Sequence, residues 1–577
     1  MRSDKNQSSR AIGKGLSAQI VSIGLGFSTV VLSLLAVSSV VITCGNGIGS
    51  RLTERLMLTT AKSAPLASLG CAFGIVVIAI LLQLASKLIK DRDIRKLLAA
   101  GFFATLLFQI WWIVSQGSNN TYFSDSRQLL AYASALSSGQ WTGIFNADIS
   151  GIAIENLLPG TKYLVNYPFQ SGVLLYFEAL YRLFGSSAPF AIQLINAVAN
   201  SITYVLLGCL VALGFSSKRT TVYTSMLGLV CFPLYLYATF FYGNQVGLCA
   251  AMVVLVSNLK AMRSPDKRTL LINLGLSVIF LVIMMWLKST YVLLSYAVAI
   301  LWFVKLLRTP EKATIAGAAL FIISLLFSNI MTAAPQRIMS ERLGYDLGEG
   351  MPKTSWIAIG LEDDSVLGDG MPGWWNRTAL QRQEECNNDM AAQTESAISS
   401  IKKSLDGMLK NPGYGASFFL RKIATEWLTP DYQARYFAGM NTHVDADNLE
   451  ESQFNIGLDN PCENGNAVET HKDVVWSQIE ALNPIMDALQ SFVYVFAALG
   501  SIDLFLRRHE VECVMLLSPC CFFIGFLVFL LWEAKAQYLL AFYLLLYPLA
   551  AYGLSCMSER LVVDIQIKSG FGLRSNR

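Results

Sequence analysis

Apolar runs of nearly 20 residues recur along the chain, separated by short polar stretches. That is the length a helix needs to cross a bilayer. The runs predict spans at roughly 18–41, 66–86, 97–116, 188–214, 221–241, 245–261, 269–287, 290–307, 313–333, 484–506, 511–532 and 537–556. A membrane β-barrel would instead alternate apolar and polar positions over segments of about ten residues. No useful length of this chain alternates in that way. The opening residues include Arg2, Lys5, Arg10 and Lys14. The apolar run behind them is too long for a signal-peptide core, so it reads as the first span.

Charge fixes an orientation for these spans. Basic residues gather in every second connection: Lys87, Lys90, Arg92, Arg95 and Lys96; Lys218 and Arg219; Lys260, Arg263, Lys267 and Arg268; Lys305, Arg308 and Lys312; Arg507 and Arg508. Short basic loops stay cytoplasmic. The expectation is a plasma-membrane protein with both termini cytoplasmic. The two long connections, 117–187 and 334–483, then lie outside. Composition agrees with a membrane class: of 577 residues, 54% are hydrophobic and 15% charged, against about 25% charged in soluble proteins. The net charge of +4 gives no reason to expect a nucleic-acid partner.

The fold class expected is therefore all-α and polytopic, with about twelve transmembrane helices. It divides into an N-terminal transmembrane module (1–333) that includes the outer loop 117–187, an extracytoplasmic domain (334–483), and C-terminal transmembrane helices with a cytoplasmic tail (484–577). The insert is domain-sized and holds Trp356, Trp374, Trp375 and Trp427 as core formers. It reads as mainly α, with a helical stretch near 390–428 interrupted by Pro412 and Gly413. Most of the eleven cysteines lie in or beside apolar runs. Cys386 and Cys462 fall in the outer domain, where a disulfide and two free thiols are both open.

The first outer loop carries the most chemistry. Leu129, Leu130, Ala133 and Leu136 recur at helical spacing up to Gly139, which predicts an amphipathic helix on the membrane surface. Asp125 sits just before it. It can serve as the N-cap, and as a carboxylate that takes a proton from an incoming hydroxyl or amine; the two roles are compatible. Further on stands Lys162-Tyr163-Leu-Val-Asn166-Tyr167-Pro168-Phe169-Gln170-Ser-Gly172, followed by a stripe of Val173, Phe177, Leu180 and Phe184. Glu178 and Arg182 are spaced to pair on that second helix, and Asn196 and Asn200 share one face of the span after it.

An Asp opening the first outer loop, two amphipathic helices and the Tyr-x-x-x-Tyr-Pro-x-Gln-x-Gly element together resemble the glycosyltransferase-C superfamily. The branch most resembled includes protein O-mannosyltransferases and aminoarabinose transferases. The last outer loop, Trp532-Glu533-Ala-Lys535-Ala-Gln537-Tyr538 with Tyr547-Pro548 behind it, is similar to the Glu-x-Arg-x-Arg-Tyr element of that superfamily. Lys535 and Gln537 replace its two arginines, which leaves a point charge where a bidentate grip is usual. The match covers roughly 97–333 and 484–556, and not the first two spans or the insert.

The resemblance implies a membrane glycosyltransferase that moves a sugar from a polyprenyl-phosphate donor to a glycan, lipid or protein acceptor, with inversion. It makes Asp125 the general base. Lys288, Lys535, Gln537 and Tyr538 would attend the donor phosphate and lipid, and Tyr163, Tyr167, Gln170 and Glu533 the substrates. Each has a plainer role as well. Lys288 can snorkel to the interface, Lys535 can neutralise Glu533, and the tyrosines can belong to the interfacial aromatic belt. No cofactor is called for. A divalent cation is the one candidate, at the acidic cluster Glu362, Asp363, Asp364 and Asp369, although a solvated acidic loop is the favoured reading of that cluster and calcium-loop spacing is absent. His443, His471 and His509 show no zinc spacing. No nucleotide-binding motif is present, as suits a lipid-phosphate donor. The alternatives are a transporter or flippase of a lipid-linked saccharide and a non-catalytic membrane scaffold. A transporter would typically show inverted repeats, and none is visible.

Overall fold

The computed structural model describes residues 2–48, 51–59, 65–89, 93–116, 124–264, 266–363, 371–438 and 482–568. Ten helices among them are long and apolar enough to cross a membrane, or up to twelve if each of two bent pairs is one span. This is the architecture of a multi-pass membrane protein. Helices α1 (Arg2–Val41), α2 (Pro65–Leu88) and α3 (Ile94–Gln116) come first. They turn Val30, Leu34, Phe73, Val76, Phe103 and Leu107 outward. Apolar surface on this scale is tolerated where lipid, not water, covers it.

Between the first two spans an antiparallel hairpin forms, β1 (Thr43–Ile48) with β2 (Arg51–Thr59). The all-α expectation is corrected here. The strand that begins the hairpin is held by tertiary partners: the Cys44 amide donates to the Leu428 carbonyl at 2.8 Å and Thr43 Oγ1 to Asp487 at 2.8 Å. Such partners are invisible in a local apolar pattern.

The first long connection folds into α4 (Ser124–Ser138), α5 (Pro159–Asn166) and α6 (Ser171–Phe184), then enters the span α7 (Ala188–Phe215). Gly139, at φ +73°, ends α4. Leu129, Leu130, Ala133 and Leu136 are all buried, as are Val173, Phe177 and Leu180 on α6. Glu178 receives Arg182 at 2.8 Å and also Arg342 at 2.6 Å, a partner from the insert.

The next span is broken. Helix α8 (Lys218–Leu229) gives way to α9 (Phe232–Leu236) and a 3₁₀ turn at Tyr237–Thr239, with a 47° bend. Pro233 explains the position: it has no N–H to offer the Leu229 carbonyl, and its ring crowds that turn. Carbonyls freed inside a membrane must find partners. Trp112 Nε1 donates to Leu236 O at 2.8 Å, Asn200 to Leu234 O at 2.9 Å, Asn196 to Phe240 O at 3.0 Å, and the Tyr235 hydroxyl to Gly228 O at 2.5 Å. Asn196 and Asn200, alike on one helix face, thus hold the break from α7.

Spans α10 (Asn244–Arg263), α11 (Lys267–Leu287), α12 (Val292–Arg308) and α13 (Lys312–Met331) complete the first module. The insert continues with α14 (Ala334–Leu343), α15 (Lys353–Gly360), α16 (Thr378–Glu385), α17 (Met390–Lys410), α18 (Pro412–Trp427) and α19 (Ala434–Ala438). Pro412 starts α18 where the sequence placed the interruption, and the Asn411 side chain caps it by accepting from the Tyr414 amide at 3.1 Å.

The C-terminal part consists of α20 (Asn483–Leu506), α21 (Leu517–Leu531), α22 (Ala536–Leu544) and α23 (Leu546–Lys568). The last two form the second bent pair, at 43°; the break at Leu545 directly follows Leu544, whose carbonyl Pro548 cannot engage. Helix α20 carries α1 along its length, with Thr29 and Ser501 hydroxyls 2.9 Å apart. It crosses α23 closely, because a Cβ on Gly500 or Gly553 would collide with the opposing backbone.

Candidate functional site

The two long connections meet at one end of the helix bundle. Thr161 and Tyr345 hydroxyls lie 2.8 Å apart, Lys162 pairs with Glu384 at 3.0 Å, and the Tyr167 and Trp375 rings are 6.5 Å apart. The last inter-span connection, 532–535, joins them. The Ala534 amide donates to the Gly373 carbonyl at 2.7 Å.

Asp125 lies inside the first turn of α4 rather than ahead of it, so it contributes charge at the helix start from a helical position. Seven residues on, Tyr132 faces the same way. Tyr132 and Tyr163 rings are 5.8 Å apart, and Tyr163 and Tyr167, one turn apart on α5, 5.2 Å. Burial pushes up the phenols of Tyr132, Tyr163, Tyr167 and Tyr242, and in all four the negative charge of Asp125 is the next largest cause. The charge of Asp125 therefore reaches all four of these tyrosines, which stay neutral hydroxyl groups.

Lys288 terminates α11 and is half-buried. Its ammonium lies 4.8 Å from the Tyr242 ring centroid and 4.9 Å from that of Tyr538. Three glycines let the chain close around it. A Cβ on Gly172 would strike the Trp286 carbonyl, one on Gly243 the Leu287 carbonyl, and one on Gly247 would lie 3.0 Å from Lys288 Cβ. Gln170 donates to the Tyr242 hydroxyl through a short contact. The charges of Lys535, Glu533 and Asp125 all act on Lys288.

Glu533 and Lys535 form a buried ion pair at 3.5 Å, with side chains 2% and 11% exposed. The Tyr538 hydroxyl donates to Glu533 at 3.2 Å, and Lys535 lies 5.6 Å from the Trp374 ring centroid. Lys535 thus neutralises Glu533, and its charge also acts on Tyr167, Tyr242 and Lys288. Gln537 is buried, and its amide N–H faces Gln433 Oε1 at 3.4 Å.

The structure brings in residues that the sequence reading passed over. Tyr242 belongs to a four-residue link between spans, 240–243, where an aromatic ahead of Gly243 was the available signal. Gln433 and Tyr432 are non-glycine residues at φ +61° and +47°, which no local pattern announces. Lys422 on α18 is fully buried. It donates to the Gly360 and Trp532 carbonyls, each at 2.6 Å, and so fixes the backbone immediately before Glu533. One turn on, Glu426 is 1% exposed, and neither carboxyl oxygen has a hydrogen-bond partner among the described residues. Burial pushes Glu426 up to about 8, with Lys422 pulling the other way; burial also brings Lys422 down to about 8, against the pull of Glu426 and Glu533.

Two acidic residues expected in a solvated loop are instead tied into the insert. Glu362 accepts from Asn376 and Thr378 at 2.8 Å and pairs with Arg382. Asp363 accepts from the Tyr414 hydroxyl at 2.7 Å. Asp364 and Asp369 lie outside the described residues, as do His443, His471 and Cys462. Cys386, the other half of the suggested disulfide, is half-buried at the end of α16.

What is assembled is a cluster of groups at the ends of spans: Asp125 in the first turn of a helix, Lys288 against Tyr242 and Tyr538, and the Glu533–Lys535 pair, with the charges of the other three acting on Lys288. Such a set can accept a proton and hold an anion side by side. No protein-family model matches this chain, and no curated protein matches it.

Proposed function

We propose that the protein is an integral-membrane glycosyltransferase that takes a sugar from a polyprenyl-phosphate donor, works on the outer face of the plasma membrane, and has both termini in the cytoplasm. The observation that carries this reading is the position of Asp125. It is the main charge acting on four buried tyrosines, and it acts on Lys288 together with Glu533 and Lys535. A lipid-linked donor keeps its tail in the bilayer, so its phosphate reaches the depth where spans end. Lys288 and Lys535 are cations at span ends.

In the proposed reaction the acceptor hydroxyl gives its proton to the Asp125 carboxylate. Its oxygen attacks the anomeric carbon from the face opposite the phosphate. The carbon–oxygen bond to phosphate breaks, and its electron pair stays on the phosphate, where Lys288 and Lys535 stabilise the charge. The configuration inverts. Glu533 holds Lys535, and Gln170 and Tyr242 orient the donor side. The arginine-to-lysine change at 535 is offset by placing a second lysine nearby.

Asp125→Asn tests the reading. Transfer from a polyprenyl-phosphate sugar in proteoliposomes should fall by about 10²-fold or more, while the variant keeps the thermal stabilisation that the donor confers on the wild type. Undiminished transfer removes Asp125 as the base. Absence of donor stabilisation in the wild type removes the donor class.

One observation favours a second reading, a transporter of a lipid-linked saccharide. Two bent spans are present, and broken helices are common in transporters. Here the carbonyls at the first break are taken up by Trp112, Asn196, Asn200 and Tyr235, which leaves them structural. Donor movement across vesicles without sugar transfer would favour this second reading.

A further inference from the structure

We infer that Trp375, Trp356 and Trp532 form a stacking platform for a saccharide chain and that the acceptor is therefore a glycan; its role as acceptor site rests on the transferase reading, whereas its ability to bind sugar does not. The three rings come from three separate segments: the loop before α16, helix α15, and the end of α21. Trp375 and Trp356 ring centroids are 5.6 Å apart at 32°, and Trp356 and Trp532 are 6.5 Å apart at 12°. The row continues through Tyr167, 6.5 Å from Trp375, to Tyr163 at 5.2 Å, where the charge of Asp125 is felt.

All three tryptophans are half-buried, unlike Trp427, Trp302 and Trp112, which are fully enclosed. Indole carries a large apolar face that folding ordinarily hides. Here the backbone is anchored and each of the three side chains is only half-buried. Lys422 ties the Trp532 carbonyl to that of Gly360 at the end of the Trp356 helix. Gly360 permits the approach, because a Cβ there would strike the Leu531 and Trp532 backbone.

Beside the rings the rim is polar. Arg377 is exposed and held at φ +63°. The next turn is secured by Asn376, whose Oδ1 accepts from the Thr378 amide at 3.2 Å and whose amide group donates to Glu362 at 2.8 Å. The charge of Arg377 reaches Tyr167. A pyranose ring presents one face of C–H groups, slightly positive, and an equatorial rim of hydroxyls. The electron-rich indole faces match the first, and Arg377 the second. A row of adjoining aromatic rings suits successive sugar units. A peptide would call for backbone hydrogen-bonding groups along the row, and the row is made of side-chain faces.

The test is saturation-transfer NMR on the full-length detergent-purified protein with mannohexaose, maltohexaose, xylohexaose and β-1,4-galactohexaose, and with a Ser/Thr-rich peptide as the protein-acceptor probe. The expected result is transfer to ring C–H protons of at least one hexaose. It should be lost in Trp375→Leu and Trp356→Leu and kept in Trp375→Phe, with each variant's thermal unfolding recorded to show that it is folded. Absence of signal with every hexaose, equal signal in the leucine variants, or saturation of the peptide alone overturns the platform. Saccharide binding without sugar transfer under any donor overturns the transferase reading and leaves the platform standing. Transfer onto the peptide without saccharide binding does the reverse.

Discussion

The ammonium of Lys288 rests 4.8 Å from the centre of the Tyr242 ring and 4.9 Å from that of Tyr538. A cation held over two aromatic rings is stabilised by their electron-rich faces, and its half-buried position leaves it able to meet an anion.

Lys288→Met should raise the donor concentration needed for half-maximal transfer by on the order of tenfold, the equivalent of about 1.4 kcal/mol. Lys288→Arg should recover only part, because a planar guanidinium does not replace a compact ammonium held over two rings. Donor titrations in proteoliposomes give the answer; an unchanged half-saturation point in Lys288→Met removes this lysine from the donor site.

Glu426 predicts a pH signature of stability. Its folded-state carboxyl is raised to about 8 from an ordinary 4.5. Between those values the folded protein holds a proton that the unfolded chain has released. Stability contributed at low pH is therefore lost as pH rises through that window, by up to about 1.4 kcal/mol per pH unit for one proton. Lys422, lowered from 10.5 to about 8, acts in the next window: from about 8 upward the unfolded chain binds the extra proton and stability rises. Glu426→Gln should leave the unfolding temperature near wild type at pH 5 and raise it above wild type at pH 8. A difference that stays constant across that range contradicts a protonated Glu426.

Gly373 stands where three segments meet, at φ +75°, a region that disfavours a side chain. A Cβ there would lie 2.7 Å from the Gly360 carbonyl and 2.9 Å from Lys422 Nζ. Gly373→Ala should cost about 1–3 kcal/mol and lower transfer further by displacing Glu533 and Lys535. Gly407→Ala, in open space within α17, should be neutral or stabilising. Equal unfolding temperatures for the two variants would show that the junction is slack.

Asn200→Leu removes the donor that serves Leu234 O inside the broken span and leaves Gln109 Oε1 without its 2.9 Å partner. A buried acceptor stranded in this way costs about 1–3 kcal/mol. The unfolding temperature in detergent should fall accordingly. No change would mean that water enters the break and replaces the amide.

Much of the membrane architecture was legible because hydrophobicity is additive along a chain. A run such as 269–287 has few ways to avoid water other than a lipid-facing helix, and α11 spans Lys267–Leu287. Helices α4 and α6 were readable from Leu129, Leu130, Ala133 and Leu136 and from Val173, Phe177 and Leu180, since one stripe of apolar residues at helical spacing suffices. The β1–β2 hairpin was not readable, because its anchors are Leu428 and Asp487, hundreds of residues away. Pro233 and Pro548 signalled a disturbance, but whether a proline kinks, breaks or ends a helix depends on which neighbours can satisfy the freed carbonyls.

The site divides in the same way. Asp125, Lys288, Glu533 and Lys535 could be picked out from sequence because charged groups at span ends are local features, whereas Tyr163 and Tyr167 stood out only through the resemblance of their motif. The neighbours these residues have are set by contacts between segments far apart in the chain: Gly172 against Trp286, Ala534 against Gly373, Lys422 beneath Trp532. Sequence determined that this chain crosses a membrane repeatedly and which polar groups stand at the boundary, since burial preference is a property of each residue. Only the tertiary structure decided which of those groups face one another, since direction and distance arise from packing between segments that no local pattern encodes.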